Sequence, residues 1–234
     1  MSFVFTPEPV TALNIAASSD LFPIRRVYCV GRNYAEHARE MGLDPAYEEP
    51  FFFCKPANAV MPMRDMQTLE LPYPSLTTNL HHEVELVVAI GKAGRDIPVK
   101  EAYKYIWGYT VGLDMTRRDL QSSMKENNKP WEIGKAFDYS APMGLLYTAN
   151  KFTNNANAAI YLRVNGNEKQ RSSIDKMLWS VPEIIYYLSR FFELKPGDLI
   201  MTGTPHGVGA VKVDDLLVGG VEGLGEIQLK VVSG

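Results

Sequence analysis

The stretch LHHEVELVVAIG, residues 80–91, decides how the rest of the chain is read. From Val84 onward it is almost wholly apolar, as a core strand should be, yet Glu83 and Glu85 stand two positions apart in it. Strand side chains alternate between faces, so the two carboxylates share one face about 6–7 Å apart along the chain, while Val84, Leu86 and Val88 take the other. At an effective dielectric near 20, two negative charges at that separation repel by roughly 2 kcal/mol before any cost of desolvation. Two readings follow. Either the face is outward and both carboxylates meet water, or it is inward and a bound cation compensates them.

Asp114 closes the apolar run of GYTVGLDMT (108–116), where a carboxylate is held by hydrogen bonds or by a metal. Three carboxylates without a thiolate suit a hard divalent ion, Mg2+ or Mn2+ ahead of Zn2+. His81 shares the face of Glu83 and Glu85, which leaves open a mixed His–Glu site for a borderline metal. One strand, however, would set such ligands in a row rather than around an ion.

The composition, 46% apolar and 22% charged over 234 residues, is that of an ordinary soluble protein with one substantial core. A formal charge of −3 offers no net basic field, which disfavours a nucleic-acid partner. Cys29 and Cys54 each lie singly in an apolar run, predicting reduced, buried thiols. The N-terminal MSFVFTPEPV lacks a basic segment followed by an apolar one, and no run approaches the roughly 18 apolar residues of a membrane span. The expectation is a cytoplasmic protein with no membrane partner.

Residues 1–24, with Pro7, Pro9 and Pro23 and no period, read as an N-terminal arm, and residues 25–234 as a single domain. RRVYCVG (25–31) reads as a strand and YAEHAREMG (34–42) as a short helix, with Asn33 as its cap and Gly42 as its stop. PFFFCKP (50–56) is an aromatic strand, IPVKEAYKYIWG (97–108) holds a short helix, and residues 127–144 suggest an ordered loop. Ile160, Leu162 and Val164 alternate into Asn165-Gly166, a hairpin turn, and Ser180 with Glu183 forms a capping box ahead of Ile184, Ile185, Leu188 and Phe192. Short strands outnumber the helices, so the fold class is α+β and β-rich.

His37 and Glu40, three apart on the predicted helix, can meet on one face. They are either part of a solvated helix or a pair in which Glu40 orients His37 to take a proton from water. Lys135 lies between Trp131 and Phe137, where partial burial makes an ammonium seek an anion. Gly203, Gly207 and Gly209 are not followed by G-K-[ST] and make no phosphate loop. Tyr186, Tyr187, Phe191 and Phe192 surround one helix, more aromatic surface than one core-facing stripe requires.

Taken in order, GRNYAEHAREMG (31–42), PFFFCKP (50–56), LHHEVEL (80–86), GLDMTRRDLQ (112–121), KPWEIGKAFD (129–138) and LIMTGTPHGVG (199–209) resemble the fumarylacetoacetate hydrolase family over residues 25–234. The similarity is strongest to its short bacterial acylpyruvate hydrolases. Longer members carry an extra acidic ligand seven positions before the histidine, and Val30 occupies that place here. The resemblance implies a mixed β-sandwich or roll with a few short helices, in which Glu83, Glu85 and Asp114 hold Mg2+ or Mn2+. It implies that His37 and Glu40 sit on a segment that orders over substrate and activate water, with Lys135 near the metal and the substrate enolate. Arg118, Gln121 and Thr204 match substrate contacts, Arg32 and Asn33 match a bracing turn, and Asp119 structures its own turn. The implied reaction is hydrolytic carbon–carbon cleavage of a 2,4-dioxo acid by a homodimer, with fumarylpyruvate preferred and Arg117 or Arg118 receiving its distal carboxylate. Decarboxylation or tautomerisation of oxaloacetate at the same site, or binding without catalysis, are the alternatives.

Overall fold

The computed structural model describes residues 3–40, 49–153 and 156–234. Its strands are β1 (Ala12–Asn14), β2 (Leu21–Pro23), β3 (Arg26–Val30), β4 (Phe52–Lys55), β5 (Val60–Pro62), β6 (Leu69–Pro72), β7 (Leu80–His82), β8 (Val84–Ile90) and β9 (Ile106–Leu113). They continue with β10 (Thr116–Arg117), β11 (Ala141–Met143), β12 (Tyr147–Thr148), β13 (Ala159–Val164), β14 (Asn167–Ser173), β15 (Asp198–Met201), β16 (Gly209–Val211), β17 (Leu216–Val221) and β18 (Glu226–Val232). The α-helices are α1 (Ala35–Glu40), α2 (Arg118–Glu126), α3 (Glu132–Lys135) and α4 (Val181–Phe191). None of these helices is long and apolar enough to cross a membrane.

Strand β8 explains the architecture. All seven of its residues are buried, because each face covers a different core. Val84, Leu86, Val88 and Ile90 pack with Ile160, Leu162, Leu217 and Ile227 from the opposing sheet and with Ile184 and Leu188 of α4. Val87 and Ala89 face a second core built with Leu13, Phe22, Val27, Cys29 and Leu199. A strand covered on both sides needs a near-continuous apolar run, which is what the sequence supplies. The large sheet runs β4-β3-β15-β8-β9-β11-β5, with β12 joined to β9, and the facing sheet runs β14-β13-β17-β18-β6. The outcome is a β-rich α+β fold of two packed, curled sheets, as expected.

Several local expectations hold. Asn165 and Gly166 join β13 to β14 with φ of 50° and 79°, the left-handed pair of a type I′ turn. Glu183 accepts from the Ser180 backbone N–H at 2.8 Å and from its hydroxyl at 2.6 Å, capping α4.

Others are corrected. LHHEVELVVAIG is two strands broken at Glu83, because β7 pairs with β10 and β16 while β8 pairs with β9 and β15. At the break side chains take over from the ladder: the Val84 N–H donates to Gln170 Oε1 at 3.1 Å and the Val84 carbonyl accepts from Thr204 Oγ1 at 2.9 Å. Asn33 does not serve as a helix cap, since its amide bridges the Trp179 and Thr202 carbonyls and accepts from the Trp179 N–H. Gly42, the expected stop, lies outside the described residues. The region read as a loop contains α3 and β11. Cys54 is exposed, not buried, because β4 is the edge strand of its sheet and turns alternate residues outward; Cys29, on interior β3, is buried as expected.

Candidate active site

The hairpin of β8 and β9 brings the three carboxylates together. Val84 pairs with Leu113 and Glu85 with Gly112, so Asp114 emerges beside the Glu83 break, and its N–H donates to the Glu83 carbonyl at 2.8 Å. Glu83, Glu85 and Asp114 each present a carboxylate oxygen within 4.8 Å of the others. Their exposures of 4, 2 and 1% exclude the outward, water-facing reading.

At an effective dielectric near 20, each such pair of negative charges repels by about 3–4 kcal/mol. Three cations oppose this. Lys135, at the end of α3, places Nζ 2.8 Å from Glu83 Oε2 and 2.6 Å from Asp114 Oδ2. Arg118, at the start of α2, bonds Glu83 Oε1 and also Gln121. Lys55, on β4 and 2% exposed, lies 2.8 Å from Asp114 Oδ1 and donates to the Lys135 carbonyl. Burial opposes ionisation of Glu83, but Lys135 and Arg118 outweigh it and hold the carboxyl well below the usual range. Among the described residues Glu85 has no such cation at contact. Burial, then Asp114 and Glu83, push its carboxyl well above the usual range, and the Gly203 N–H is its direct donor at 2.7 Å. Burial would lower Lys135, but the carboxylates of Asp114 and Glu83 raise it.

These residues fit a hard divalent ion. The lysine contact to Asp114 Oδ1 lacks hydrogen-bond alignment, so among the described residues this buried oxygen has no hydrogen-bond partner. The Lys55 ammonium compensates its charge, and its unused acceptor capacity is open to a further ligand. With all three carboxylates ionised, as ligation of a dication would require, they balance the three cations, and the dication would leave the cluster doubly positive, ready for an anionic substrate. The mixed histidine alternative is not formed among the described residues. His81 Nδ1 accepts from Arg118 Nε at 3.3 Å and its Nε2 lies 2.9 Å from Asn79 Oδ1. Burial and then the Arg118 charge push its imidazole down to about 4, which keeps it neutral. His82 is turned to Gln170 Oε1 at 3.0 Å, a structural contact.

His37 is buried on α1 with Nδ1 3.2 Å from Glu40 Oε2. Glu40 faces the Gly207 N–H at 3.3 Å, and Glu36 pairs with His206 at 2.8 Å, so α1 is fastened to the loop after β15. Arg32 has φ of 59° in the turn before α1 and lies over the Phe51 ring at 5.2 Å.

A cavity of about 310 Å³ joins these parts. Glu83, Glu85, Asp114, Lys135 and His37 occupy one end, with Thr204 and Arg32 on its wall. Phe51, Phe53 and Trp131 form an aromatic side, with Trp131 edge-on to Phe51 at 5.3 Å between centroids. A further part of the wall is one face of α2, carrying Arg118, Gln121, Ser122 and Lys125. The Thr204 hydroxyl donates to Val84 and accepts from Gln170 Nε2 at 2.8 Å. Arg117 does not line the cavity; its guanidinium lies over the Phe137 ring at 4.4 Å, so of the two arginines proposed for a distal carboxylate only Arg118 reaches the space. Asp119 accepts from the Thr77 hydroxyl at 2.6 Å and the Thr78 N–H at 3.0 Å, tying the start of α2 to the chain before β7.

Lys55, Gln170, Lys125 and the aromatic wall escaped the sequence reading. Lys55 carried a usable signal, a lone charge inside an aromatic strand, the same kind of fault that marks Glu83. Gln170 carried none, since it is buried within an otherwise polar and mostly exposed β14.

The sequence model of the family described as Fumarylacetoacetate (FAA) hydrolase C-terminal matches residues 26–232. A fumarylpyruvate hydrolase from Pseudomonas aeruginosa, crystallised with Mn2+ and pyruvate, is 59% identical with a TM-score of 0.98, all of each chain being covered. A mitochondrial oxaloacetate decarboxylase from Dictyostelium discoideum is 42% identical over 86% of this chain and 90% of its own. A mitochondrial oxaloacetate tautomerase from Homo sapiens is 40% identical over 88% of this chain and 91% of its own.

Proposed function

The chain belongs to the fumarylacetoacetate hydrolase family, and from that premise we propose that it is a Mg2+- or Mn2+-dependent acylpyruvate hydrolase that cleaves fumarylpyruvate to fumarate and pyruvate. The observation that carries this reading is the buried Glu83, Glu85 and Asp114 cluster, which opens into the same cavity as His37 and Lys135.

Glu83, Glu85 and Asp114 would hold the ion, which would supply Lewis acidity at the 2-oxo acid end of the substrate. His37, with Nδ1 held by Glu40, uses Nε2 to take a proton from water as the water oxygen bonds to the 4-carbonyl carbon. The bond between carbons 3 and 4 then breaks, its electron pair passes to the pyruvate enolate, and a proton returned to carbon 3 gives pyruvate. Lys135 places a cation where negative charge grows on the enolate oxygen. Arg118, Gln121, Thr204 and Arg32 hold and orient the substrate from the cavity wall. Phe51, Phe53 and Trp131 exclude bulk water and suit a planar, unsaturated acyl chain.

The relatives that act on oxaloacetate favour a second reading, decarboxylation or tautomerisation at the same cluster. Oxaloacetate is shorter and leaves the aromatic wall without a partner. Initial rates with Mg2+ and with Mn2+ on fumarylpyruvate, acetylpyruvate and oxaloacetate separate the readings. The expected result is highest kcat/KM on fumarylpyruvate, and turnover of oxaloacetate alone would replace the hydrolase reading.

Assembly as a homodimer is part of the proposal. It is supported by Phe191, 62% exposed at the end of α4, next to the partly exposed Phe192. Light scattering at micromolar concentration is expected to give twice the mass of the chain, and a monomer would contradict it.

A further inference from the structure

The cations at the buried end of the cavity are already engaged. Arg118 and Lys135 bind Glu83 and Asp114, and Arg117 is turned onto Phe137. None of these is placed to meet a carboxylate at the far end of a substrate whose 2-oxo acid end sits at the metal-loaded cluster. Helix α2 supplies another. Arg118, Gln121, Ser122 and Lys125 recur at intervals of three and four and therefore lie along one face, and all four line the cavity. At 1.5 Å per residue, Lys125 stands about 10 Å along the helix axis from Arg118, on the outer rim. Its ammonium forms no ion pair or hydrogen bond with any described residue, and its flexible four-carbon stem lets the ammonium follow a ligand. Glu126 also reaches the rim and repels anions, which confines a distal carboxylate to the Lys125 side.

We infer that Lys125 is the specificity-determining cation that receives the distal carboxylate of the acyl group and so selects dicarboxylic over uncharged acylpyruvates. This rests on the acylpyruvate hydrolase reading above. The anion would be held at both ends, by the metal-loaded cluster with its surrounding cations at one and by Lys125 at the other, with the aromatic wall along the uncharged middle.

The test compares kcat/KM for fumarylpyruvate and acetylpyruvate in the Mn2+-loaded wild type, Lys125→Met, Lys125→Arg and Arg32→Met. Lys125→Met is expected to lower the fumarylpyruvate-to-acetylpyruvate ratio about ten-fold, the loss of one charged hydrogen bond at a solvated rim, mostly through KM. Lys125→Arg is expected to keep most of the preference. An unchanged ratio in Lys125→Met, or a collapse confined to Arg32→Met, overturns the inference while the hydrolase reading stands. A wild type that cleaves neither acylpyruvate overturns the hydrolase reading and this inference with it.

Discussion

Replacing Glu83 by Gln is expected to weaken Mn2+ binding more than about 100-fold and to lower turnover about 1,000-fold. Two effects combine. The cluster loses one of its three oxygen donors, and Lys135 and Arg118 lose the anion that both of them contact. Breaking a buried ion pair from one side typically costs about 3–5 kcal/mol, so the metal-free variant should also melt roughly 10 °C lower. Titration calorimetry with Mn2+, paired with thermal melts of the metal-free protein, reads both effects. Wild-type affinity in a folded Glu83→Gln protein would remove the carboxylate cluster from the account.

The second large effect separates proton transfer from binding. His37→Ala is expected to lower kcat on fumarylpyruvate by about 100- to 10,000-fold and to leave Mn2+ affinity close to wild type. The reason is geometric: His37 lines the same cavity, but among the described residues its side chain bonds Glu40, not a carboxylate of the cluster. Glu40→Gln keeps a hydrogen-bond acceptor for the ring and removes only the charge, so a smaller loss of about ten-fold is expected. Rapid-quench measurement of pyruvate formation isolates the chemical step. An unchanged rate in His37→Ala would mean that another group activates water.

The fold was legible because β8 is buried on both faces, so its apolar run could be read without knowing its neighbours. The break at Glu83 was not, since it depends on Gln170 and Thr204, which arrive from 87 and 121 positions later in the chain. Strand alternation predicted a shared face for the two glutamates but could not show that Asp114 returns beside them; the β8–β9 register does that. Cys54 was misplaced because an apolar neighbourhood does not reveal an edge strand. Arg117 and Arg118 are adjacent and equally basic in sequence, yet one lies over Phe137 and the other bonds Glu83, a choice set by where α2 begins. Lys125 could have been found from the helical spacing of Arg118, Gln121 and Ser122, had that face been known to meet a cavity.

The central claim is hydrolysis of the bond between carbons 3 and 4, and the most direct test is cleavage of fumarylpyruvate in oxygen-18 water with Mg2+ present. Mass spectrometry of the products is predicted to find one solvent oxygen in the carboxylate newly formed on fumarate, with fumarate and pyruvate released in equal amounts. Release of carbon dioxide, or loss of the enol absorbance without formation of fumarate, would contradict it.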